Sequence, residues 1–310
     1  MLIVCLDQCA ISMLALTSEE GGSPIRRLKE RFLRASDEAE LVCPLAAETI
    51  VETTGLKAAQ DRLRIHELHT YLAGGRLGGP LVAFKSMWQM IKEETLALAR
   101  SEPFPSAFEL ARWKNVDDDE LAAETQQRIL EAKARMNARV QAHQLNHIEG
   151  EPTLDITSAG VILEHVAHVY RQVERLLDDK PLDPKDHMGY ELAEYLRQQA
   201  VSKEQLAKLI QDILYHRWEA IPTIFNRTQL AGQLEVDYRN ASNPRGYKVN
   251  DEVDIPRLAV GLSSADIIIT DAAMAQACAT VKTNRWTDCK VFAVRDTEKI
   301  LGHLELALAH

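Results

Sequence analysis

Four acidic residues, Asp7, Glu48, Asp254 and Asp271, stand where strand-like and helix-like stretches of the chain meet. Asp7 ends the apolar run L-I-V-C-L. Asp271 ends A-D-I-I-I-T. Glu48 lies inside the helical stretch after a second strand-like segment, and Asp254 opens another helical stretch. In open parallel sheets ligands gather beyond the carboxyl ends of the strands, so these side chains are candidates to meet in one crevice. Carboxylates gathered there repel one another unless a cation lies between them. Hard oxygen donors select Mg²⁺ or Mn²⁺, and such an ion activates water and offsets charge developing on a phosphodiester. Each acid also has a plainer reading, because Asp7, Asp254 (beside Pro256) and Asp271 all occupy positions suited to a helix N-cap.

The elements that would position these acids alternate at both ends of the chain. Residues 2–6 read as a buried strand, and a helical stretch follows. Ser23 and Pro24 are placed as N-cap and first residue of a helix over 25–35. Residues 40–43 read as a second strand, after which Pro44 opens a helix that Gly55 closes. Near the other end, 254–264 reads as a helix, 266–270 as a strand, and a small-residue helix follows from Ala272. A strand over 290–294 and a helix after Asp296 complete the pattern. This alternation predicts an α/β fold whose mostly parallel sheet is shared by the two ends. Between them the pattern is helical and shows no fixed repeat period. The periodicity predicts helices over 57–72, 81–100, 117–147, 158–177 and 202–218, the last with Ser202 and Gln205 at capping-box spacing.

In I-V-C-L-D, ending at Asp7, and in D-I-P-R-L-A-V-G-L-S-S-A-D-I-I-I-T-D, from Asp254 to Asp271, the chain resembles the PIN domain family. That family places an Asp after its first strand, a Glu in the helix after its second, an Asp at a helix start, and Thr with a further acid at the next strand's end. Asp7, Glu48, Asp254 and Thr270-Asp271 match those places. The resemblance implies a PIN-like three-layer domain, discontinuous over 1–59 and 236–310, with 60–235 as a large all-helical insertion. It further implies Mg²⁺- or Mn²⁺-dependent endonuclease activity on phosphodiester bonds, usually in RNA. On this reading Asp7, Asp254 and Asp271 hold the ion, and Glu48 holds a second ion or orients the water. Glu52, one turn from Glu48, can take its role. Asp251, Glu252 and Asp266 add acids whose place in the pattern is open.

Just before Asp254, Y-R-N-A-S-N-P-R-G-Y-K offers Arg239, Arg245 and Lys248 between Tyr238 and Tyr247. Such interleaving suits phosphate contacts and base stacking on single-stranded RNA, the expected partner, and suits a solvated turn equally well. K-T-N-R-W at Lys282 to Trp286 invites the same two readings. The pairs His66/His69 and His165/His168 lack a third ligand at a recognisable spacing and are read as surface or partly buried histidines. A haloacid-dehalogenase-like phosphatase needs a second Asp two residues after the first, where this chain has Cys9. No Walker-type loop or G-x-S-x-G elbow occurs.

Length and composition fit a soluble globular chain: 310 residues, 46% hydrophobic and 26% charged. The net charge of −10 argues against a protein that coats nucleic acid, although a carboxylate metal site contributes formal charge that its ion offsets. Asp7 interrupts the apolar N-terminus and no Lys or Arg precedes it, so a secretion signal is not the expectation there. The odd number of cysteines, without a C-x-x-C pair, suits reduced thiols in the cytoplasm, and no membrane partner is expected. The insertion's long amphipathic helices must bury apolar faces, against the substrate channel, a second copy or another protein. The alternative to a nuclease is a non-catalytic scaffold in which the acids are structural.

Overall fold

Leu2–Leu6, strand β1, is apolar at every position, which suits a strand covered on both faces. The computed structural model describes residues 1–17, 23–74, 81–111, 119–120, 122–123, 127, 158–216, 220–239, 251–280 and 288–309. In it β1 pairs in parallel with β2 (Leu41–Val42) on one side and with β5 (Ile267–Thr270) on the other. Strand β6 (Lys290–Ala293) extends the sheet in parallel beyond β5, giving the order β2-β1-β5-β6. The two chain ends therefore share one parallel sheet. Asp266 lies at its amino edge, where its carboxylate accepts the Ile3 N–H at 2.8 Å and fixes the register. It lies at the opposite end of β5 from Thr270.

Alternate residues of the central strands enter two cores. Val4, Leu6, Ile267 and Ile269 pack with α1 (Gln8–Leu16), α2 (Pro24–Asp37), α4 (Ala59–Leu72) and α12 (Thr297–Leu308). Cys5 and Ile268 face the other way, toward α9 (Pro222–Arg239), α10 (Asp251–Gly261) and α11 (Ala272–Thr280). Helices thus cover both faces, in three layers. Gly261 permits the close approach of α10: a Cβ there would lie 3.2 Å from the Ile268 Cδ1 atom and 3.6 Å from the Cys5 sulfur.

A third core joins α5 (Met87–Arg100), α6 (Ser158–Leu177), α7 (His187–Gln198), α8 (Lys203–His216) and the start of α9. The capping box of α8 forms reciprocally, with Gln205 N–H to Ser202 Oγ at 3.2 Å and Ser202 N–H to Gln205 Oε1 at 2.9 Å. Two expectations need correction here. The middle of the chain is not all helix, because β3 (Leu81–Phe84) and β4 (Phe108–Ala111) form an antiparallel pair. A four-residue apolar run merges with a following helix when read by periodicity alone. Nor does Pro44 open a helix. Leu45 bonds to Val82 and Phe84 of β3, and α3 (Ala47–Thr54) begins after it. The helix expected over 117–147 falls almost wholly outside the described residues. Among the described residues no helix is long and apolar enough to cross a membrane.

Candidate metal centre

The strand order reverses between β1 and β5, and Asp7 and Thr270 stand at the carboxyl ends of those two strands. This switch point is where open α/β sheets bind ligands, because the loops diverge and leave a crevice. Asp7 continues the ladder through its N–H to the Ile269 carbonyl at 2.9 Å. Its side chain, 7% exposed, makes no helix-capping bond although Asp7 holds the N-cap position of α1. Instead Oδ2 accepts the Thr270 hydroxyl at 2.7 Å and Oδ1 faces the Arg257 guanidinium at 3.0 Å. The plainer reading of Asp7 as a cap therefore fails.

Asp254 was expected to open its helix, but α10 begins at Asp251, which puts Asp254 inside the first turns, three residues before Arg257. Its Oδ1 accepts from Arg257 Nη2 at 2.5 Å. Helix α3 reaches the same point from the other side, tied to α1 by the Thr53 hydroxyl donating to Gln8 Oε1 at 2.8 Å. It presents Glu52, whose Oε2 lies 3.7 Å from Arg257 Nη1. Carboxylate oxygens of Asp7, Glu52 and Asp254 all lie within 4.8 Å of one another.

Arg257 is buried to 1% exposure in the middle of this group, and its Nη1 also reaches Thr49 Oγ1 at 3.4 Å. Burial works against its charge, but Asp7 and Asp254 outweigh burial and hold the guanidinium firmly protonated. Burial pushes Glu52 up to about 7; Arg257 opposes that shift, and the charges of Asp254, Asp7 and Glu48 add to it. Cys9 lies at the same mouth, and burial first, then the Asp7 charge and a thiol bond to Asp7, raise it so far that it stays a neutral thiol.

Of the four acids singled out in the sequence, the structure brings Asp7 and Asp254 together. Glu52 joins them in place of Glu48, which is half-buried in the first turn of α3, one turn away. Asp271 does not join the group. Its Oδ1 accepts the N–H groups of Ala273 at 2.6 Å and Met274 at 2.9 Å, so it caps α11, the plainer of its two readings. The cap faces the start of α1, close enough for the Asp271 charge to act on Cys9.

Arg257 is the residue that charge counting along the sequence passed over. The signal was a lone cation followed by the apolar run Leu258, Ala259 and Val260, three residues after an acid on the same helix. Arg239 ends α9, while Arg245, Lys248 and the segment 282–286 lie outside the described residues. His69 proves fully buried, where desolvation depresses it to about 4 and it bonds to the Pro44 backbone as a neutral ring. His168 pairs with Asp186 at 3.2 Å.

Three carboxylates against one guanidinium leave the group with an excess of acids by formal count. Glu52 Oε2 is removed from solvent and has no hydrogen-bond partner. An all-oxygen donor set with an unsatisfied oxygen fits a hard ion such as Mg²⁺ or Mn²⁺. Compared with known protein families, curated proteins and solved structures, the chain gives no match.

Proposed function

We propose that the chain is a PIN-like, Mg²⁺- or Mn²⁺-dependent endonuclease that hydrolyses phosphodiester bonds in single-stranded RNA. The observation that carries the reading is the trio of Asp7, Asp254 and the half-buried Glu52 at the sheet's switch point, with one oxygen that no hydrogen bond satisfies. Asp7 and Asp254 hold the ion, and the Thr270 hydroxyl fixes the orientation of Asp7. A bound dication supplies an activated water and a countercharge for the phosphodiester. Glu52, the third carboxylate of the trio, accepts the water's proton. Glu48 and Asp271 flank the trio and extend its negative field toward a second cation. Arg239, Arg245 and Lys248 grip the phosphates of the strand, and the helical middle of the chain shapes the channel or docks a partner.

A second reading is favoured by Arg257, which neutralises part of the cluster: a scaffold whose acids form a structural ion-pair network. Incubation of labelled single-stranded RNA with Mn²⁺ and the full-length protein separates the two. The nuclease reading expects internal cleavage that EDTA abolishes and that Asp254→Asn reduces by orders of magnitude. Cleavage of equal rate in Asp254→Asn protein, or none at all in the wild type, supports the scaffold.

A further inference from the structure

The guanidinium of Arg257 already occupies the cation position of the cluster. Its Nη2 lies 3.0 Å from Asp7 Oδ1 and 2.5 Å from Asp254 Oδ1, the two acids best placed to hold a metal. A dication held by those carboxylates would compete with a guanidinium bonded to the same oxygens, and the two cations would repel. The rest of the guanidinium is loosely held. Its Nη1 contacts are long, 3.4 Å to Thr49 and 3.7 Å to Glu52, and its buried Nε has no hydrogen-bond partner. Once the Asp7 and Asp254 oxygens turn to another cation, no short bond keeps Arg257 in place. Until then, Arg257 holds together a group of acids that would otherwise repel.

We propose that Arg257 is a resident counter-ion that a divalent metal must displace, so that it keeps the metal-free site folded and sets the metal concentration at which the site loads. This rests on the metal-site reading above and adds to it a competition within the chain. Asp7 and Asp254 exchange a guanidinium for the ion, and the protein's own cation is the inhibitor. The exchange is a substitution of ligands with no bond made or broken covalently. Its prediction is counter-intuitive for a residue in the middle of a site: removing Arg257 strengthens metal binding while weakening the metal-free fold.

The test measures Mn²⁺ binding to full-length wild type, Arg257→Gln, Arg257→Lys and Asp7→Asn proteins by depletion of the free-ion EPR signal. Arg257→Gln is expected to bind Mn²⁺ about tenfold more tightly or better, because a positive charge beside a dication is costly even under near-solvent screening. Arg257→Lys, which keeps the charge, should stay near wild type. Because Arg257→Gln leaves the acids uncompensated, it is purified in Mn²⁺ and a second measurement uses the unaltered protein. The Nε–Hε NMR signal of Arg257, assigned by its loss in Arg257→Lys, should shift when Mg²⁺ is added to saturation. A signal that does not move, or Arg257→Gln affinity equal to or below wild type, overturns the competition while leaving the metal site standing. Mn²⁺ binding that is absent from every protein, or unchanged in Asp7→Asn, removes the metal site itself and the competition with it.

Discussion

Replacing Asp7 by Asn separates a metal-binding role from a structural one, because its electrostatic terms nearly cancel in the absence of metal. Asp7 is attracted to Arg257 at 3.0 Å and repelled by Asp254 and Glu52 at 4.8 Å or less. At an effective dielectric of about 20, that attraction is worth about 5–6 kcal/mol and each repulsion about 3.5 kcal/mol or more. Glu52, near 7, carries only part of its charge at neutral pH, which reduces its share of the repulsion. The opposing terms are then similar in size. The amide also keeps the local bonds: its oxygen accepts from Arg257, and its nitrogen donates to a Thr270 hydroxyl turned to accept. Metal-free Asp7→Asn should therefore melt within a few degrees of wild type, a change of about 1 kcal/mol in either direction. Metal changes the comparison. With Mn²⁺ at about a hundred times its dissociation constant, the wild type gains about 2.7 kcal/mol, and a variant lacking one charged ligand loses most of that gain. Calorimetric melting with and without Mn²⁺, beside RNA cleavage, reads both effects. An unchanged Mn²⁺-dependent rise in Asp7→Asn would refute the metal role. A metal-free loss of about 3–5 kcal/mol, the range for breaking a buried ion pair, would show that the Arg257 attraction outweighs the repulsions.

Glu94, 1% exposed, accepts the Thr223 N–H at 3.0 Å and hydroxyl at 2.8 Å, and burial raises its carboxyl from 4.5 to about 7. The folded state then binds the proton more tightly than the unfolded state, so stability is greatest below pH 4.5 and falls as pH rises to about 7, by on the order of 3 kcal/mol. Glu94→Gln should flatten that part of the wild-type melting profile. The difference between the two profiles cancels Glu52, which shifts in the same direction, and His69, whose depressed value acts oppositely between about 4 and 6.5. Identical pH slopes in both proteins would rule out an ionising Glu94. At the cap of α11, Asp271→Ala should cost about 1 kcal/mol in urea unfolding and Asp271→Ser much less. Equal losses in the two would count against capping. If Asp271 also serves the metal, Asp271→Ser should lose Mn²⁺ stabilisation while keeping its metal-free stability.

How much of this was legible in the sequence follows from what a pattern can encode. Strands β1 and β5 stood out because a parallel strand buried on both faces reads as an unbroken apolar run. The sheet order was legible only as a shared sheet. Strand β3 was hidden because Leu81–Phe84 passes within two residues into Met87–Arg100, and the boundary signal was Ser86, whose hydroxyl caps that helix by accepting the Gln89 N–H at 3.2 Å. Among the acids, position after a strand located Asp7 but did not separate Glu48 from Glu52, which share a face of α3 one turn apart. Asp271 matched the family's pattern and still serves as a cap. Charge compensation was the least legible feature. An arginine in a sequence carries no mark of burial, and only the fold of α10 against α3 and the sheet turns Arg257 inward.

The position of α9 explains why the helical middle of the chain belongs to the site's architecture. Its first residues, with Ile224 at their centre, lie in the helical core, while Leu230 and Leu234 lie in the core beneath the sheet. One helix thus spans both. Its amino end is held by Glu94 of α5 through the two Thr223 bonds, and its second turn by Asn226, whose side-chain nitrogen donates to the Ala259 carbonyl of α10 at 3.1 Å. Helix α5 is divided in the same way, with Met90 in the sheet-side core and Ile91 in the helical one. Asp254 and Arg257 ride on α10, so the helix carrying both partners of the site's shortest ion pair is braced by elements from the middle of the chain. A polar side chain bonded to a carbonyl in a helix's last turn, with neither group exposed, tolerates little sliding, since displacement would leave both without partners. The helical middle of the chain therefore helps fix where α10, and with it Asp254, lies. Glu94, whose carboxyl burial raises to about 7, caps the amino end of that brace.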